Sequence, residues 1–167
     1  MTDNSSKTNR IIAIWCPVPF AAFSRYESVL VKKIHHYLPN CFLGCCMGYS
    51  DLSIRHLTRS DLILIMLPNN SNTINEYLLM PLVRKKPLLY VICQNDSLVP
   101  CDPPSLKSQL RLPQDSLSLL ILTTADLKRS KPAGAYTSSG STDFLLARSL
   151  ETLLFQTHDD FHWPVRP

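Results

Sequence analysis

The sequence predicts a three-layer α/β/α domain built on a mostly parallel sheet of about five strands with helices on both faces. Two observations lead there. Short apolar runs rich in β-branched residues recur along the chain, and between them lie segments whose apolar residues repeat at helical spacing. Parallel neighbours cannot be joined by a tight turn, so strand and helix in alternation imply crossover connections that cover both faces of the sheet.

Residues 11–16 (IIAIWC) are continuously apolar, which suits a strand buried on both faces, and Pro17 and Pro19 end it. From 22 to 38, Ala22, Phe23, Tyr26, Val29, Leu30, Ile34 and Tyr37 recur at helical spacing. Lys32, Lys33 and His36 fall mostly on the opposite side, so an amphipathic helix is expected to pack on the first strand. Pro39 and Asn40 stop it, and residues 41–47 form a second apolar run. Residues 51–59 read as a short helix with Leu52, Ile54 and Leu57 as its apolar members, and 62–67 (LILIML) is the plainest strand of the chain. Residues 69–72 supply turn and cap residues before a helix marked by Ile74, Tyr77, Leu78 and Leu82. Pro87 introduces the strand 88–93. A loop over 94–104 leads to a short helix over 105–112 and a last strand over 118–122. The polar stretch 123–141, with Pro132, Gly134 and Gly140, reads as a flexible segment. A helix over 143–155 closes the fold through Phe144, Leu145, Leu150, Leu153 and Leu154.

A length of 167 residues fits one domain, expected over 10–157 between a disordered tail at 1–9 and an irregular tail at 158–167. With 45% hydrophobic and 18% charged residues the balance is globular. The polar start is followed by no apolar stretch of signal-peptide or membrane-span length, so a cytoplasmic protein is expected. The six cysteines fall largely in strand-like runs and are expected to be reduced, buried thiols. Cys41, Cys45 and Cys46 contain no Cys-x-x-Cys pair, and the vicinal pair would point to opposite faces of a strand, so no metal is expected. The net charge of +4 comes from scattered basic clusters at 32–33, 84–86 and 128–131. These suit solvated helix ends and loops, and they leave nucleic-acid contact as a competing reading.

In such folds ligands bind beyond the carboxyl ends of the strands, and the turn after the first strand commonly cradles phosphate. Laid on the pattern Gly-x4-Gly-Lys-Ser/Thr, that turn has Pro17 and Ala22 for the glycines and Phe23 for the lysine; only Ser24 fits. An amide-lined cradle needs backbone that approaches the phosphate without side chains, and a lysine to supply positive charge. With Phe20 and Phe23 in the turn, rings are expected to fill that volume.

The frame nevertheless resembles a known family. Residues 11–24, a strand ending near Trp15 that runs through a proline-containing turn to Ser24, resemble the opening of ParA/MinD-type ATPases of Gram-positive bacteria. Residues 57–70 (LTRSDLILIMLPNN), with Ser60-Asp61 before a strand and Asn69-Asn70 after it, are similar to a second segment of that family. Residues 87–95 are similar to its base-side strand. The resemblance spans roughly residues 10–155 and implies a P-loop NTPase-like fold. The missing glycines and lysine imply a pseudo-ATPase with no cofactor and no turnover. The family's acid after the second strand has Asp51 as its nearest counterpart, to which no role is assigned. The resemblance implies an interaction or scaffold subunit of a bacterial positioning, partition, pilus or secretion system. Its protein partner or second copy would dock on a face made of Trp15, Phe20, Phe23, Arg25, Asn69 and Asn70. The alternative is a small-molecule or nucleotide-binding regulator that rebuilt the site with Ser24, Arg25 and the two asparagines.

Other constellations read as ordinary structure. His158 and His162 flank two aspartates at a metal-compatible spacing, but Trp163-Pro164 breaks a helix there, and a polar tail is expected. His35 and His36 suit the negative end of a helix dipole. Ser138, Ser139 and Ser141 follow no strand in a Gly-x-Ser-x-Gly elbow, so no nucleophile is expected. Asp96, Asp102, Asp115 and Asp126 stand singly where carboxylates cap backbone amides.

Overall fold

A computed structural model of the chain describes residues 10–18, 20–48, 50–69, 86–94, 102–128 and 142–156. Its five strands are β1 (Ile11–Cys16), β2 (Phe42–Met47), β3 (Leu62–Pro68), β4 (Leu88–Cys93) and β5 (Leu119–Leu122). They form one sheet in the order β2-β1-β3-β4-β5, and every neighbouring pair is parallel. The helices among the described residues are α1 (Phe23–Tyr37), α2 (Asp51–Arg59), α3 (Pro103–Gln109), α4 (Thr124–Lys128) and α5 (Thr142–Glu151); α5 runs into a π-helical turn, Thr152–Gln156.

Side chains alternate across the sheet, and each face has its own core. Ile12, Ile14 and Cys16 of β1 join Leu30 and Ile34 of α1 and Leu146 and Leu150 of α5 on one face. Ala13 and Trp15 join Ile63 and Ile65 of β3, Leu57 of α2 and Leu106 of α3 on the other. Helices therefore cover both faces, which is the three-layer α/β/α architecture that the alternation of runs predicts. β1, β3 and β4 are buried along nearly their whole length.

The connections fix where a ligand crevice opens. From β1 the chain passes through α1 to β2 on one side, then through α2 to β3 on the other side of β1. The strand order thus turns in opposite directions on either side of β1, and the carboxyl ends of β1 and β3 mark the topological switch point of this order.

Several local expectations are corrected. Lys33 does not lie with the solvated residues of α1: it is 1% exposed and its Nζ reaches Asp143 Oδ1 on α5 at 2.5 Å. On α2 only Leu57 of the three apolar residues is buried, whereas Leu52 and Ile54 are exposed. Helical spacing marked these three, but α2 lies over the sheet's edge and turns Ser53 and Leu57 inward. Cys45 is exposed and Cys46 half-buried, because β2 is an edge strand covered less well than its neighbours; Cys16, Cys41 and Cys93 are buried as expected. The vicinal cysteines do turn to opposite faces, Cys46 packing beside Trp15 and Cys45 lying towards Glu27 of α1.

The helix expected at 105–112 starts two residues earlier and ends sooner. Pro103 and Pro104 occupy its first turn, where a missing N–H costs nothing. Its end is a Schellman cap: Arg111 sits at φ 60°, its N–H donates to the Ser108 carbonyl, and the Leu112 N–H donates to that of Lys107. Glycine is the usual occupant of such a position, and its absence hid the stop. The start of the segment expected to be flexible forms α4, held by reciprocal bonds in which the Thr123 N–H donates to Asp126 Oδ2 at 2.7 Å and the Asp126 N–H to the Thr123 carbonyl at 3.0 Å. The helix expected around Ile74 to Leu82, most of 123–141 and both tails, with His158 and His162, lie outside the described residues. No helix among the described residues is long and apolar enough to cross a membrane.

Candidate functional site

β1 delivers the chain to the switch point through Pro17, which is buried, and the exposed Val18. Glycine at φ +70° ends the neighbouring strand: Gly48 donates its N–H to the Cys16 carbonyl at 3.0 Å and accepts the Trp15 indole N–H at 2.8 Å. These two bonds hold the ends of β1 and β2 together just below the turn. Trp15 is fully buried, on the face opposite α1, so it contributes no surface to a docking face.

The turn folds back on itself. The Phe23 N–H donates to the Phe20 carbonyl at 3.1 Å, and the N–H groups of Arg25 and Tyr26 donate to that of Ala22 at 3.1 and 3.3 Å. Amides that would have to point at a phosphate are thereby used within the turn. The Phe20 and Phe23 rings meet edge to face with centroids 6.1 Å apart, and both pack against the core beneath α1. Ser24, the one residue that matches the phosphate-loop pattern, is exposed. α1 has no side-chain cap at Ala22 and no acid in its first turn, so the positive end of its dipole is not offset there.

Beside the turn lies a cavity of about 270 Å³ between the start of α1 and α4, over the carboxyl ends of β3 and β4. Phe20, Ala22, Arg25 and Asn69, four of the residues picked from the sequence, line it together. Asn70 lies outside the described residues. Sequence reasoning missed Ala21, Tyr26, Pro68, Cys93, Thr124 and Leu127, which also line it. Tyr26 passes in the sequence for a core position of α1, and its hydroxyl is occupied by the Gln94 carbonyl at 2.7 Å, so its ring forms part of the wall. Thr124 was concealed in a stretch read as flexible. The usable signal was its place immediately after a strand, where crevice residues of this fold class come from.

Electrostatics next to the turn are set by Glu27 of α1. Burial first, and the Glu27 carboxylate second, push the Cys16 thiol up to about 12. Cys45 is exposed along the sheet's edge, yet protein surrounds its thiol closely enough that burial is again the largest cause. With the charge and hydrogen bond of Glu27 added, it is pushed up to about 12. Thiolate is the reactive form, so Cys45 is expected to alkylate slowly with iodoacetamide at neutral pH, the rate rising about tenfold per pH unit well past the ordinary thiol range. Glu27→Gln removes the charge, lowers the pKa and is expected to speed labelling at pH 8 several-fold. Equal rates in the two proteins, read by intact mass, would show that Glu27 does not govern this thiol. Among the described residues no cluster of His, Cys, Asp and Glu side chains is placed to hold a metal ion.

The fold and the cavity define a doubly wound, all-parallel α/β domain with a cavity beyond the carboxyl ends of its strands. No protein-family model matches the chain, and no curated protein is significantly similar to it.

Proposed function

We propose that the chain is a non-catalytic, ParA/MinD-like binding subunit of the cytoplasm, which engages a protein partner or a second copy of itself and does not turn over nucleotide. The turn after β1 carries this reading. Pro17 is buried where the first glycine of a phosphate loop would stand, Phe20 and Phe23 pack on each other, and the amides of Phe23, Arg25 and Tyr26 are bonded to carbonyls of the same turn. A triphosphate placed there would meet side chains and carbonyl-paired amides, with a phenylalanine in place of the positive charge that phosphoryl transfer requires. The docking face on this reading is the rim formed by Phe20, Phe23, Arg25 and Asn69, with exposed Val18 beside it.

Isothermal titration with Mg-ATP is expected to give no heat and thermal melting no shift, because a ligand that does not bind the native state cannot stabilise it. Saturable binding in the micromolar range would overturn the proposal. Light scattering on the purified chain then tells self-association from dependence on a separate partner.

A further inference from the structure

The cavity between α1 and α4 has a chemistry of its own, which the proposed function does not require. Its body is apolar: Phe20, Tyr26, Pro68 and Leu127 line it. Among the described residues its polar groups include Arg25, Asn69 and Thr124, and none of the lining side chains is a carboxylate. Among the described residues Arg25 has no ion pair and no hydrogen bond from its guanidinium, although it stands in the first turn of α1, where the helix dipole already favours negative charge. One cationic group at the rim and an apolar interior select a ligand with one anionic head and one apolar body. The volume of about 270 Å³ lies just below the range of drug-sized pockets, roughly 300–1,000 Å³, and so limits that body to about one ring system.

We infer that this cavity binds a compact aromatic carboxylate. The ring lies against Phe20 and Tyr26, and the carboxylate meets the Arg25 guanidinium, which can hold both oxygens at once. Asn69 and Thr124 stand at the same rim, at the ends of β3 and β5, and give the ligand further polar contact. The site shares Phe20, Ala22 and Arg25 with the turn after β1 and reaches from there to the ends of β3 and β4.

Indole-3-acetate and phenylacetate serve as probes, titrated into the full chain by calorimetry or by two-dimensional NMR, with indole-3-acetamide as the neutral match. Saturable binding of at least one acid below about 1 mM is expected, with the amide at least about tenfold weaker. Arg25→Met and Ala21→Trp are expected to abolish binding. Both residues are exposed, so the melting temperature should hold and a folding defect is distinguishable from loss of the site. No saturation by either acid up to about 10 mM, equal binding of acid and amide, or full binding by Arg25→Met would each overturn the inference. Displacement of indole-3-acetate by ATP would overturn the proposed function and leave this inference standing, whereas failure of the acids with ATP also silent would overturn this inference alone.

Discussion

Lys33→Met is expected to destabilise the fold by about 3–5 kcal/mol, the cost typical of removing one partner from a buried ion pair. Both side chains are nearly sealed from solvent, at 2% and 6% exposure, and the pair joins the C-terminal half of α1 to the first turn of α5. Methionine fills a comparable volume, so the loss comes from the buried Asp143 carboxylate, left without its lysine. Urea unfolding reads the effect as a lower midpoint at unchanged slope. The double variant Lys33→Met with Asp143→Leu is expected to regain most of the loss, since two apolar groups can replace a buried pair at little cost. Tyr37, one helical turn beyond Lys33, supplies an independent readout: burial first, and the Asp143 carboxylate second, push its phenol up. Asp143→Asn is therefore expected to bring the Tyr37 titration, followed by ultraviolet absorbance, back towards the ordinary tyrosine range. A single-variant loss below about 1 kcal/mol would show that water reaches the pair and that it acts as a surface bridge.

This pair marks the boundary of what the sequence discloses. β1, β3 and β4 are legible to within a residue because strands buried on both faces must be apolar throughout, a pattern that few other structures produce. α1 is legible because Tyr26, Val29, Leu30 and Ile34 share one stripe. Lys33 lies at the edge of that stripe, and periodicity alone places a lysine in solvent. Its partner is 110 residues away, so only the tertiary fold brings Asp143 over it. Leu52 and Ile54 fail in the opposite sense: they are apolar residues of a helix at the sheet's margin, with too little sheet beneath them to cover both. The site was half legible for a related reason. Residues of the turn after β1 can be picked from the general rule that crevices open beyond strand ends, whereas Thr124 and Leu127 required knowing that α4 folds back beside α1.

Gly44→Ala is expected to cost about 1–3 kcal/mol, a figure set by overpacking. A Cβ built at Gly44 would stand 2.3 Å from both Cε1 and Nε2 of His56, closer than side-chain carbons approach other atoms. The imidazole of His56 lies directly on the β2 backbone, its Nε2 buried and without a hydrogen-bond partner among the described residues, so a methyl group must push the ring aside or lift α2 from the sheet. Part of the cost is offset because alanine loses less chain entropy than glycine in a strand, by about 0.5–1 kcal/mol. The decisive measurement is the double variant. His56→Ala alone is expected to cost little, because it also removes an unsatisfied buried nitrogen, and adding it to Gly44→Ala is expected to restore most of the lost stability. Additive losses would mean that the cost at position 44 does not come from the ring. Restoration would establish that close contact between β2 and α2 depends on the absent side chain at position 44. Close by, the Ser53 hydroxyl donates to the Met47 carbonyl at 2.9 Å and the Gly48 carbonyl accepts the Trp15 indole N–H. A shift of α2 would therefore loosen the brace on the end of β1, and with it the turn that carries Phe20 and Phe23 into the crevice.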